Sequence, residues 1–160
     1  MFIRYFVEVD RPFADVEAQL LGTPSEWIPD LAEEAEALGE GLLAEVGFGK
    51  VLRVERPVRI EFGQPARLEA KTLLPVSWRP TAEGTVLPVL DGDLELAAIG
   101  PRRSQLSMNA SYEPPFGLIG RMADRALLHR VAEATVKDFV DRIAGALRSR
   151  LGSTPAVLTA

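Results

Sequence analysis

The segment SYEPPFGLIGR, Ser111 to Arg121, constrains the fold more than any other part of the chain. Before it the residues alternate as in a strand, and after it one helical pattern runs almost to the C-terminus. Pro114 and Pro115 lack the amide hydrogen a sheet ladder needs, so they end the strand and fix its exit direction. From about Leu118 to Leu151, winding at about 100° per residue sets Leu128, Ala132, Val136, Phe139, Ile143 and Leu147 on one stripe. Arg130, Lys137, Asp141 and Arg148 fall opposite, and Glu133, Lys137 and Asp141 form a ladder of alternating sign that suits a solvated face. A helix of that length spans about 50 Å, whereas a domain of this size is roughly 40 Å across. The helix must therefore cross the molecule, folding back over the sheet it has left, with the turns around Gly117 and Gly120 free to form a separate element.

The rest of the chain supplies that sheet. Residues 2–9 alternate, with Ile3, Tyr5, Val7 and Val9 on one face and Phe2, Arg4, Phe6 and Glu8 on the other. Asp10 is placed to cap a short helix with Pro12 in its first turn, showing Phe13, Val16 and Leu20 inward. Thr23-Pro24-Ser25-Glu26 is a capping box opening a second helix, which Pro29 is expected to break or kink and Gly39 and Gly41 to stop. Two strands are expected between residues 42 and 62, separated around Gly47–Gly49, with Val58, Ile60 and Phe62 on one face. The glycine pair completes no phosphate-binding pattern and reads as a turn or bulge.

After a turn at Gly63-Gln64-Pro65, the clearest strand alternates Leu68, Ala70, Thr72, Leu74, Val76 and Trp78 inward, with Pro75 marking a bulge or edge. A run from about Thr85 to Ile99 is expected to break at Asp91-Gly92, with Leu94, Leu96 and Ala98 inward. Gly100-Pro101-Arg102-Arg103 turns the chain into a last strand, where Leu106, Met108, Ala110 and Tyr112 alternate with polar residues. The expected organisation is one domain over residues 1–151 and a disordered tail over 152–160.

Composition narrows the partners. The 160 residues are 47% hydrophobic and 26% charged, enough for a sizeable core, and the net charge of -5 disfavours nucleic acid. No cysteine is present, so no disulfide or thiolate zinc site is expected. Charges within MFIRYFVEVD interrupt any signal-peptide core, and no stretch approaches the roughly 20 apolar residues of a membrane span, leaving the cytoplasm as the default expectation.

The order of elements, the junction Tyr112-Glu113-Pro114-Pro115-Phe116-Gly117-Leu118-Ile119-Gly120, and the following RMADRALLHRVAEATVKDFVDRIAGAL together resemble the START/Bet v 1-like (SRPBCC) superfamily. The similarity lies nearest to its bacterial polyketide cyclase/dehydrase-like and lipid-transport-like proteins, and SEWIPDLAEEAEALGEG resembles the segment carrying their first two helices. The resemblance implies an α+β helix-grip fold: a curved antiparallel sheet wrapped around a long C-terminal helix, with two short helices after the first strand. It also implies an elongated apolar cavity between sheet and helix, used in relatives for lipids, sterols, aromatic polyketides or hormones, and in a few for cyclisation or aromatisation.

The residues expected to line that cavity are Thr72, Trp78, Leu94, Met108, Tyr112, Met122 and Phe139. Trp78 and Tyr112 serve equally as core residues whose polar tips find partners. No inward carboxylate, histidine or arginine appears on the clearest strand faces, which favours binding over catalysis. His129, the single histidine, stands four residues before Glu133 and pairs with it as readily as it would act in proton transfer. Arg121, Arg125 and His129 share the helical sector of Phe139 and Ile143; they either reach solvent or rim the cavity mouth and meet an anionic head group. The leading expectation is a binding or transport protein for a small hydrophobic or amphipathic molecule, without metal or cofactor. A cyclase, aromatase or dehydratase working in the same cavity is the alternative, and a protein-partner-binding module the third.

Overall fold

The structure, a computed structural model, describes residues 1–43, 58–80, 89–113 and 125–152. In chain order these form β1 (Phe2–Val9), α1 (Phe13–Gly22), α2 (Pro24–Leu43), β2 (Val58–Phe62), β3 (Ala66–Leu68), β4 (Lys71–Pro80), β5 (Val89–Gly100), β6 (Arg103–Glu113) and α3 (Arg125–Gly152). The expected Gly47–Gly49 turn, the Pro114–Pro115 junction with Arg121 and Met122, and the tail from residue 153 lie outside the described residues.

The described strands form one antiparallel six-stranded sheet in the order β1-β6-β5-β4-β2, with β3 pairing β4 as well. Its inner face is laid out in cross-strand rows. One row runs Tyr5–Met108–Leu94–Leu74, and another runs Ile60–Trp78–Leu90–Tyr112. Against these rows α3 buries Val136, Phe139, Ile143 and Leu147 of the stripe its periodicity predicts, and Val140 in addition.

Four expectations give way to the structure. The strand expected over residues 68–78 is a hairpin, because Leu68 pairs Lys71 across the two-residue turn Glu69–Ala70. Partners across such a turn share a face, so Leu68 goes outward with Lys71 and is 59% exposed. Asp91-Gly92 is no break: β5 runs straight through it, paired to Ser77 and Val76 on one side and to Ser111 and Ala110 on the other. Further along, Ala98 is exposed although it stays in register with buried Ser104 on the inner face; it is the last residue of β5 before the ladder shifts between Ala98 and Gly100. Finally, α2 continues through Pro29 and past Gly39 and Gly41. Pro29 removes the bond to the carbonyl of Ser25, which lies in the exposed first turn, so the loss is small. The glycines weaken a helix without removing any hydrogen bond.

Asp10 does not cap α1 either. Pro12 occupies the N-cap position, its carbonyl accepting from the amides of Asp15 and Val16 at 3.1 and 3.2 Å, while Asp10 pairs with Arg103 at 3.4 Å.

Polar contacts fix α3 on the sheet. Arg148 Nη2 donates to the carbonyl of Glu8 at 2.6 Å, and Tyr5 Oη donates to Asp141 Oδ1 at 2.9 Å. Lys137 Nζ donates to the other oxygen of Asp141 at 2.5 Å and lies 5.2 Å from the centre of the Tyr5 ring. Arg142 joins Asp138 to Glu34 and so ties α3 to α2.

Burial first, then the hydrogen bond and charge of Asp141, push the Tyr5 phenol above its ordinary 10.0. Hydrogen bonds to Asp141 and Tyr5 hold Lys137 above its ordinary 10.5. Both groups keep their protons more firmly folded than unfolded. Their stabilising contribution is therefore complete below the unfolded values and is lost as pH rises through the raised folded ones. Ultraviolet titration is expected to show a tyrosinate step above pH 10 that disappears in Tyr5→Phe. A Tyr5 step at the ordinary phenol value would show that the clamp is not formed.

Candidate functional site

The interior between the inner face of the sheet and α3 has two distinct ends. At the α1 end, Thr72 is buried and its hydroxyl donates to Glu17 Oε1 of α1 at 2.5 Å. Arg67, across the hairpin from Thr72, stands 3.5 Å from the same oxygen. Ser104 is likewise engaged, donating to the carbonyl of Arg11 at 2.9 Å. This end is closed by polar contacts between chain segments far apart in sequence.

The opposite end is aromatic. Trp78 is among the largest fully buried side chains, and its ring meets Phe139 edge-on, with centroids 5.2 Å apart and planes at 77°. Tyr112 and Leu90 continue the same cross-strand row, and both are buried. Yet Trp78 Nε1 finds no acceptor among the described residues. A buried donor left without an acceptor costs about 1–3 kcal/mol, and native chains rarely tolerate one without a use for it.

Two other buried polar atoms share that condition, and neither belongs to the cross-strand row of Trp78. Trp27 belongs to α2 and lies under the Arg150 guanidinium, 4.8 Å from its ring centre. Ser107 pairs Phe6 and Glu95 on the outer face of the sheet.

Of the residues predicted to line a cavity, Trp78, Leu94, Met108, Tyr112 and Phe139 are all buried and come together on facing surfaces of sheet and helix. Thr72 is buried as well, about 20 Å from Trp78 along β4, with its hydroxyl engaged by Glu17. Glu17 went unnoticed in the sequence; its only sign there is its place beside Val16 on a helix expected to face the core.

The mouth residues are placed by geometry. Asp141 meets Tyr5 and Arg148 meets Glu8, so seven helix residues match three strand residues, about 10 Å each. Continued toward the N-terminus, this relation brings α3 level with Phe2 near residue 134 and His129 level with the Glu113–Val89 row, so that Arg125 lies beyond the Pro80–Val58 pair that ends the described sheet. Arg125 is accordingly exposed and has no ion pair among the described residues. His129 Nε2 lies 3.2 Å from Glu133, with the imidazole side chain 42% exposed.

Across the sheet, on its outer face, Glu61, Ser77 and Asp91 form a row that lines an open cleft of about 370 Å³ together with Gly63 and Pro75. Arg79 already engages both oxygens of Asp91, at 3.0 and 3.1 Å. Among the described residues no cluster of histidine and carboxylates is arranged for a metal, and no helix is long and apolar enough to cross a membrane.

This arrangement is the helix-grip fold of START/Bet v 1-like proteins. A conserved protein from Geobacillus kaustophilus has a similar structure, with a TM-score of 0.54 at 13% identity over 91% of this chain and 94% of that one. The Zhui aromatase/cyclase from Streptomyces sp. R1128 is similar over 98% of this chain and 99% of its own, with a TM-score of 0.50 at 15% identity. At such identities the likeness extends to the fold alone. No family model matches the sequence, and no curated protein does.

Proposed function

We propose that this chain binds a small hydrophobic or amphipathic molecule between the sheet and α3, at the end marked by Trp78, Tyr112 and Phe139. The observation that carries the reading is the Trp78 indole: among the described residues it is a fully buried donor without an acceptor, set between apolar cross-strand neighbours and the Phe139 ring. A guest that brings the missing acceptor and covers apolar surface answers both conditions. Arg125, exposed and unpaired among the described residues, is offered at the mouth for an anionic head group. Arg121 and Met122, which the sequence assigns to the same mouth and cavity, belong to this proposal on sequence grounds alone.

A second reading places cyclisation, aromatisation or dehydration in the same interior. It draws on the likeness to the aromatase/cyclase and on one chemical point: a buried N–H that holds a carbonyl also steadies negative charge developing on its oxygen.

Native mass spectrometry of the purified chain, followed by solvent extraction, tests binding directly. An apolar compound released at close to one per chain is the expected result. A chain that carries nothing and takes up none of a panel of fatty acids, sterols and aromatic ketones would overturn the proposal.

A further inference from the structure

Resting on that reading, we infer that the guest presents an uncharged oxygen acceptor on a flat, largely aromatic body to the indole N–H of Trp78, and that this one contact sets selectivity. The indole offers a donor and nothing else, so its partner must be an acceptor; an ammonium or hydrocarbon guest would leave it unsatisfied. The acceptor is uncharged because Trp78 is fully buried, with apolar Ile60 and Leu90 as its cross-strand neighbours and Phe139 against its ring. An ionised carboxylate there would give up its hydration for a single hydrogen bond. Among the described residues the charged groups that reach the inner face stand elsewhere: Glu17 and Arg67 at the far end by Thr72, and Asp141 at the β1 side by Tyr5.

The flat body follows from the rings at this end. Trp78 and Phe139 already meet edge to face, and Tyr112 adds a third ring along the row, so a planar guest can extend the same ring contacts. Ketones, quinones and aryl ethers of fused or linked rings fit this description. Free fatty acids, with a charged acceptor and a flexible chain, do not.

Fluorenone and fluorene test the inference, since they share size and shape and differ by a carbonyl in place of a methylene. The wild-type chain is expected to bind fluorenone about tenfold more tightly than fluorene, as one buried hydrogen bond would produce. In Trp78→Phe both should bind with similar affinity. In wild-type protein labelled with ¹⁵N at the indole, fluorenone should move the Trp78 N–H resonance downfield and fluorene should not. That reading needs no variant and so stands even if Trp78→Phe folds poorly. Equal affinities in the wild type, a preference that survives in Trp78→Phe, or an unmoved resonance with fluorenone bound would overturn the acceptor contact while leaving a guest-binding interior in place. Binding of neither compound would overturn the inference, while extraction and the wider panel decide separately whether the interior takes a guest at all.

Discussion

Gly92→Ala is expected to cost this protein about 3 kcal/mol or more, the upper end of what overpacking does. A Cβ at this position would lie 2.4 Å from the carbonyl oxygen of Asn109 and 2.8 Å from Cα of Ala110. Both are backbone atoms of β6, held in the ladder on either side, so neither can turn aside as a flexible side chain would. Relief requires β5 and β6 to separate at the middle of the sheet, where α3 packs on the inner face. For a chain of this size that loss corresponds to a fall in Tm of roughly 6–12 °C. Gly145→Ala is the internal control, because a Cβ there meets nothing within 4 Å and α3 should gain about 0.5–1 kcal/mol from it. Thermal unfolding of the two variants side by side decides the matter. A Gly92→Ala melting curve close to wild type would show that the two strands do not approach as described.

The same glycine shows why part of the fold was legible in the sequence and part was not. Periodicity reports which face a residue takes, so the inner row through Trp78 and the buried stripe of α3 could be read directly. It does not report why a glycine is present. Asp-Gly serves a turn as well as a close strand approach, and only the position of Asn109 distinguishes them. The hairpin at Glu69–Ala70 escaped for a related reason. A two-residue turn preserves the count of two, so the alternation of Leu68, Ala70 and Thr72 runs on unbroken while the chain reverses.

The candidate site divides along the same line. Burial of Trp78, Tyr112 and Phe139 was expected, but which polar tips find partners depends on segments distant in sequence. Thr72 is answered by Glu17, 55 residues away, whereas the Trp78 indole is answered by nothing among the described residues. Arg125 shares its helical sector with buried Ile143 and is nevertheless exposed, because it lies beyond the last described rows of the sheet. Sector is a local property; where the opposing surface ends is not.

Phe139→Ala should have an effect of comparable size with a different sequel. Phe139 is fully buried and supplies the edge contact to the Trp78 ring, so truncating it removes a large apolar transfer term and leaves a void beneath the indole. Such substitutions cost about 3–5 kcal/mol, a fall in Tm on the order of 10 °C for this chain. Unlike the strand separation forced at Gly92, this loss leaves the backbone in place, and a void walled by apolar side chains is one that a flat apolar molecule can fill. Saturating fluorenone is therefore expected to raise the Tm of Phe139→Ala by several degrees more than that of the wild type, since a ligand stabilises in proportion to how tightly it holds the folded state. Gly92→Ala, whose defect lies between strands, should show no such added recovery. Destabilisation of Phe139→Ala without any extra rescue would mean that the helix settles onto the sheet and closes the void, and that the aromatic end of the interior is a packed core with no room for a guest.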